Sequence, residues 1–206
     1  MGIISGAGWL NGREWGSLTG GGLCGVMDDV RPLWKDPLLF PTAPKNLGRF
    51  DAVSKSLLCA CALALKDAGF PPVVGAGRVV GLVGTNETGC VAANHAYFKD
   101  YLDAGRTLAR ANLFVYTLPS SPLAEASIHF GLRGPMMYSA APGAGTADLL
   151  ETAALWVAEG AAEAVVAVRA DEREAVAYVM GAGSHGLGVD KAIAQVEQAM
   201  KRTGRS

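Results

Sequence analysis

The 206 residues include 18 Lys and Arg against 19 Asp and Glu, for a formal net charge of -1, and 50% of them are hydrophobic. That length suits one domain with a real core, and the near-neutral balance offers neither the basic footprint of a nucleic-acid binder nor an acidic tail. No apolar run is long enough to span a bilayer, the start Met1 to Gly8 lacks the charged and apolar regions of a secretory signal, and Cys24, Cys59, Cys61 and Cys90 have neither zinc-site spacing nor disulfide-scaffold density, so a soluble cytoplasmic protein with reduced thiols is expected.

Ile3 to Ala7 reads as a short strand. A long Gly-rich, Trp-bearing connection follows from Gly8 to about Phe50, irregular over about 10–48, with Pro32, Pro37, Pro41 and Pro44 in it. Asp51 to Ala68 is a helix apolar almost all round, closed by Gly69, and so expected to be buried on several sides. Arg78 to Gly84 is a continuous apolar strand of the kind covered on both faces. Helices are expected at Gly89 to Gly105 and Pro122 to Phe130, a strand at Met136 to Ala140, a helix at Ala144 to Ala158 and a second continuous strand at Ala164 to Arg169. Glu174 to Met180 is reached through a turn at Asp171 and Glu172 too tight for a crossover, so it should pair antiparallel. Asp190 to Arg202, within a C-terminal segment 189–206, is an amphipathic helix. The alternation argues a single α/β domain over 1–206 with a mixed, mostly parallel sheet flanked by helices.

The most informative stretch runs from Gly131-Leu132-Arg133-Gly134-Pro135 through Met136 to Gly145: a turn, a buried strand and a glycine-rich helix start. An elbow of that kind often carries a nucleophile. This one has no Cys, and the hydroxyl before the helix, Ser139, falls in the strand.

Together with Arg49-Phe50-Asp51 ahead of the buried helix, Gly84-Thr85-Asn86, Leu118-Pro119, and Glu159-Gly160 leading into Val165-Val166, this stretch resembles the N-terminal half of a β-ketoacyl synthase, over roughly Ile3 to Asp171. Gly-Leu-Arg-Gly-Pro before a strand and a small-residue helix start is the most specific piece. The resemblance implies one half of a thiolase-like fold, βαβαβαββ, and 3-oxoacyl-[acyl-carrier-protein] synthase activity in an intact member, with no cofactor and no metal. It also implies a nucleophilic Cys at the N-terminus of the helix after the strand, where the dipole and bare N–H groups favour a thiolate. Counting without gaps puts that slot on Gly143, and neighbouring registers offer Ala141, Pro142, Ala144 or Gly145, none of which can attack a thioester. The two histidines that the family takes from its C-terminal half are not among these residues either. No catalytic residue is therefore assigned.

Other positions carry competing readings. The backbone of Gly143, Ala144 and Gly145 suits an anion at a helix start, and tight backbone packing explains the same glycines. Cys90 is a reactive thiol at a helix start or, more commonly for such a residue, a small buried side chain. His95, His129 and His185 are scattered, Cys59 and Cys61 point to different sides of one helix, and Gly181 to Gly186, with Ser184 and His185, reads as a flexible turn. Gly6-Ala7-Gly8 is a weak dinucleotide-loop signal, since Asn11 stands where a third glycine belongs.

Three functions follow. The favoured one is a non-catalytic synthase-like protein that associates with itself or with a ketosynthase-like partner in fatty-acid or polyketide-type biosynthesis, because half of the fold leaves the Ala144 to Ala158 helix uncovered on one side. The second is an acyl-transfer enzyme completed by a partner chain or using Cys90. The third is an acyl or acyl-carrier-protein binding module with the Gly8 to Phe50 connection and Phe114-Val115-Tyr116 as a lid.

Overall fold

The computed structural model describes residues 2–19, 24–26, 31–75, 77–107, 110–140, 145–181 and 186–202. Its centre is a mixed sheet in the order β3-β2-β1-β7-β6-β4-β5, built from β1 (Ile3–Asn11), β2 (Glu14–Ser17), β3 (Cys24–Val26), β4 (Val80–Thr85), β5 (Met136–Tyr138), β6 (Ala164–Ala170) and β7 (Glu174–Gly181), with the short β8 (Leu187–Gly188) beside β1. β5, β4 and β6 pair in parallel, whereas β7 is antiparallel to both β6 and β1. With β2 antiparallel to β1 and β3 antiparallel to β2, the strands β1, β3, β4, β5 and β6 all run in one direction.

The element order β1, α2 (Ala52–Asp67), β4, α3 (Val91–Asp103), β5, α6 (Thr146–Ala158), β6, β7 is the expected βαβαβαββ half. Added to it are α1 (Arg31–Trp34), α4 (Ala111–Val115), α5 (Ser121–Phe130) and α7 (Val189–Arg202).

Helix α2 begins because the Asp51 carboxylate accepts the Ser54 N–H at 2.8 Å, satisfying a donor that the first turn leaves free. Its Leu57 to Leu65 run is wholly buried. It lies directly on the backbone of β1: a Cβ at Gly8 would stand 2.3 Å from Leu63 Cβ and 2.5 Å from the Ala64 nitrogen. The continuous apolar strands follow from cover on both faces. Val166, Val168 and Ala170 of β6 join the core under α2 and α5, while Val165 and Ala167 join the opposite core with Leu149, Leu150 and Ala153 of α6 and Ala192 and Val196 of α7. Each large aliphatic side chain so buried contributes about 1.5–3 kcal/mol.

The largest departure from the sequence reading lies in the segment taken as an irregular connection. The first strand does not stop at Ala7 but runs to Asn11 and turns back into β2, and β3 and α1 follow. The turn is set by Asn11, whose Oδ1 accepts the N–H groups of Arg13 at 3.1 Å and Glu14 at 2.9 Å. Gly6-Ala7-Gly8 is therefore strand interior, with Gly6 and Gly8 facing α2 and Ala7 in the opposite core, not a dinucleotide loop. Elsewhere the bounds move by one or two residues: Val91–Asp103 where Gly89 to Gly105 was expected, and Thr146–Ala158 for Ala144 to Ala158. Among the described residues no helix is long and apolar enough to cross a membrane.

Candidate functional site

In β5-β4-β6 the strand β4 stands between two parallel neighbours, and an open crevice lined by Glu87, Thr88, His95, Arg169 and Glu174 lies at the carboxyl ends of β4 and β6. The groups at that end form a connected polar set. Ser139 N–H donates to the Gly84 carbonyl at 2.8 Å, and Thr85 Oγ1 donates to the Ser139 carbonyl at 2.8 Å. Tyr138 Oη donates to Asn86 Oδ1 at 2.7 Å, and Asn86 Nδ2 donates in turn to the Gly89 carbonyl at 2.7 Å. Burial, with the nearby Cys90 and Asp171, pushes the Tyr138 phenol up, which keeps it protonated and donating.

The sequence motif before β5 has two structural jobs. Gly131 ends α5 in the left-handed conformation at φ 66°, and Gly134 presses its backbone against β4, where a Cβ would stand 2.6 Å from the Gly81 nitrogen. Gly134 N–H also donates to the Val80 carbonyl at 2.9 Å, which seats β5 beside β4. The glycines thus serve the close docking of the elbow.

The assigned slot, Gly143, lies with Ala144 outside the described residues. Gly145 is the N-cap of α6, and its N–H donates to Asp148 Oδ2 at 2.7 Å. A carboxylate in the first turn is favoured by the helix dipole and takes up one of the bare N–H groups. The described part of the helix start is thus occupied by the protein's own negative charge.

Cys90 is half-buried, not enclosed, and is the N-cap of α3. Its Sγ donates to the Thr117 carbonyl at 2.8 Å and accepts from Asn94 Nδ2 at 3.1 Å. It lines a cavity of about 350 Å³ between the start of α2, α3 and α4, walled by Phe50, Val53, Leu113 and Tyr116. Cys59 and Cys61 are fully buried on α2, and burial pushes both thiols far up. His95 lines an open crevice with Arg169 and Glu174, whereas His129 stacks against Phe40 with ring centroids 5.5 Å apart. Burial holds the His129 imidazole below its ordinary value. Ser184 and His185 lie outside the described residues. Among the described residues no histidine bonds to Cys90, and no group of three His, Cys, Asp or Glu is placed to hold a metal ion.

The sequence reading missed the Tyr138 to Asn86 bond, since 52 residues separate the partners and only the parallel register brings them together. It also missed Asp67, the last residue of α2, whose carboxylate accepts the Ala7 N–H at 2.9 Å and the Thr19 N–H at 3.1 Å, fixing β1 and the end of the hairpin to the helix.

The family profile described as Beta-ketoacyl synthase, N-terminal domain, matches residues 23–187. The chain belongs to this family. Ketosynthase structures share its fold. A type II PKS acyl-carrier protein in complex with its ketosynthase matches with a TM-score of 0.63 at 16% identity, covering 87% of this chain and 62% of that one. The ishigamide ketosynthase/chain length factor matches with a TM-score of 0.60 at 15% identity, covering 89% and 63%, and a beta-ketoacyl synthase from Burkholderia phymatum with a TM-score of 0.55 at 16% identity, covering 87% and 58%. This member of the family spans about three fifths of the length of those chains. No curated protein matches it.

Proposed function

We propose that this chain is a non-catalytic ketosynthase-like subunit, acting through association with itself or with a ketosynthase-like partner in fatty-acid or polyketide-type biosynthesis in the cytoplasm. The observation that carries the reading is the elbow itself. From Met136 to Asp148 the sequence holds no Cys, His or Lys, and the Ser139 backbone on the strand side is spent on holding β5 to β4. A carbon–carbon bond-forming synthase needs an activated nucleophile there, and the groups present position backbone instead.

Association is supported by surface left apolar on either side of the elbow. Helix α6 buries Leu149, Leu150 and Ala153 but leaves Leu155 54% exposed, and β5 leaves Met136 45% and Met137 38% exposed on the last strand of the sheet order. Size-exclusion chromatography with light scattering tests the reading: a dimer or larger species is expected, and a monodisperse monomer at micromolar concentration would overturn self-association, leaving co-purification with a ketosynthase to decide the partner form.

A second reading keeps acyl transfer, because Cys90 stands at the wall of a cavity. Intact-mass analysis after incubation with an acyl thioester separates the two: the non-catalytic reading expects no adduct, and an adduct abolished by Cys90→Ser would reverse the order. Thermal shift with an acyl-carrier protein tests the binding-module form of the same idea, since a ligand bound only by the native state raises stability.

A further inference from the structure

Helices α3 and α4 are held to each other more than to the domain. Neither contains a buried residue. Arg110 joins them by donating its backbone N–H and its Nε to the Asp100 carboxylate, each at 2.8 Å, and the Tyr97 and Phe114 rings meet at 5.6 Å. Of their described side chains only Ala93 is packed against the core. Beneath them lies the cavity of about 350 Å³, towards which α3 presents Ala92, Ala93 and Ala96. An empty space of that size removes the dispersion contacts that would bind a helix to the core, and segments with few such contacts open first.

The two ends of the pair differ. At the front, Gly89 has φ 62°, with nothing within 4 Å of where a Cβ would be, so the chain there is turned sharply and is not packed in. At the back, Tyr116 is buried edge-on to Phe50 at 6.4 Å, and Ser121 Oγ donates to the Val115 carbonyl. The ends are joined by the Cys90 Sγ bond to the Thr117 carbonyl, which spans 27 residues of sequence. We propose that α3 and α4 form one flap, hinged at Gly89 and pivoting on Tyr116, that the Cys90 to Thr117 hydrogen bond braces its two feet against each other, and that it opens over the cavity ahead of the rest of the fold.

Hydrogen–deuterium exchange with mass spectrometry on the full chain tests this. The amides of 91–103 and 111–115 are expected to exchange at least about 100-fold faster than those of Leu57 to Leu65, as expected where opening is local. Cys90→Ala is expected to speed the flap by a further factor of about three to ten, the effect of one lost hydrogen bond, with α2 unchanged. Cys90→Ser keeps a donor and is expected to stay near the original rate. Flap amides as slow as those of α2 would overturn the flap. A Cys90→Ala variant that accelerates α2 and flap alike, or neither, or a Cys90→Ser variant as fast as Cys90→Ala, would overturn the brace.

Discussion

Tyr138, the last residue of β5, donates its phenolic hydrogen to Oδ1 of Asn86, the residue that follows β4, across 2.7 Å. One bond therefore ties the carboxyl end of β5 to the segment that follows β4. Replacing Tyr138 by Phe keeps the ring and removes the donor, so chemical denaturation should give a loss of about 1 kcal/mol. An unchanged midpoint would mean that Asn86 is held by its bond to Gly89 alone.

Gly8 has no room for a methyl group, because the Cβ would overlap Leu63 and the Ala64 backbone, and backbone cannot move aside as a flexible side chain can. Gly8→Ala should cost about 3 kcal/mol or more by urea unfolding, at the upper end of what overpacking does. A loss below about 1 kcal/mol would show that α2 can lift from β1 without penalty.

His129 gives the fold an acid-side weakness. Burial against Phe40 and Phe130 lowers its native pKa below the ordinary 6.5, so the unfolded chain binds a proton that the native chain resists. The stability is complete above about 6.5 and is lost as pH falls towards the native value. Melting temperatures taken from pH 7.5 to 5.0 should fall in that window, and His129→Gln should flatten the fall; an equal slope in the variant would place its origin elsewhere.

The thiols should separate by reactivity. Burial disfavours the thiolate at Cys59 and Cys61, whereas Cys90 is half-buried beside a cavity. Iodoacetamide on the native protein followed by peptide mapping should modify Cys90 and leave Cys59 and Cys61 untouched, and all three should react in denaturant.

Leu155 separates association from folding. It stands on α6 away from the sheet, so Leu155→Arg should change unfolding stability by no more than about 0.5 kcal/mol while weakening any oligomer built on that face. A full-sized oligomer by light scattering would move the interface off α6.

The sheet core was legible where burial on both faces left a strong mark. Val80 to Thr85 and Ala164 to Ala170 are apolar runs bounded by Gly and charge, and α2 has Asp51 before it and Gly69 after it, so their places follow from composition and caps. The β1 to β2 hairpin was hidden because Gly6 and Gly8, which exist to admit α2, also break the alternation that marks a strand. Asn11-Gly12 between Trp9-Leu10 and Glu14-Trp15 was the usable turn signal. The Gly131 to Pro135 motif marked where β5 docks on β4, yet the polar set beside it is assembled by pairing between β4 and β5, which no local pattern encodes.

The longest ladder of the sheet joins its first strand to β7, far along the chain: Ile3 faces Gly181 and Asn11 faces Glu174. During synthesis the glycine-rich first strand leaves the ribosome long before the partner that fills the place between it and β6. High contact order of this kind slows folding and leaves an open strand edge waiting. Helix α2, which can lie on Gly6 and Gly8 once residue 68 has left the ribosome, is the element able to shelter that strand in the interval.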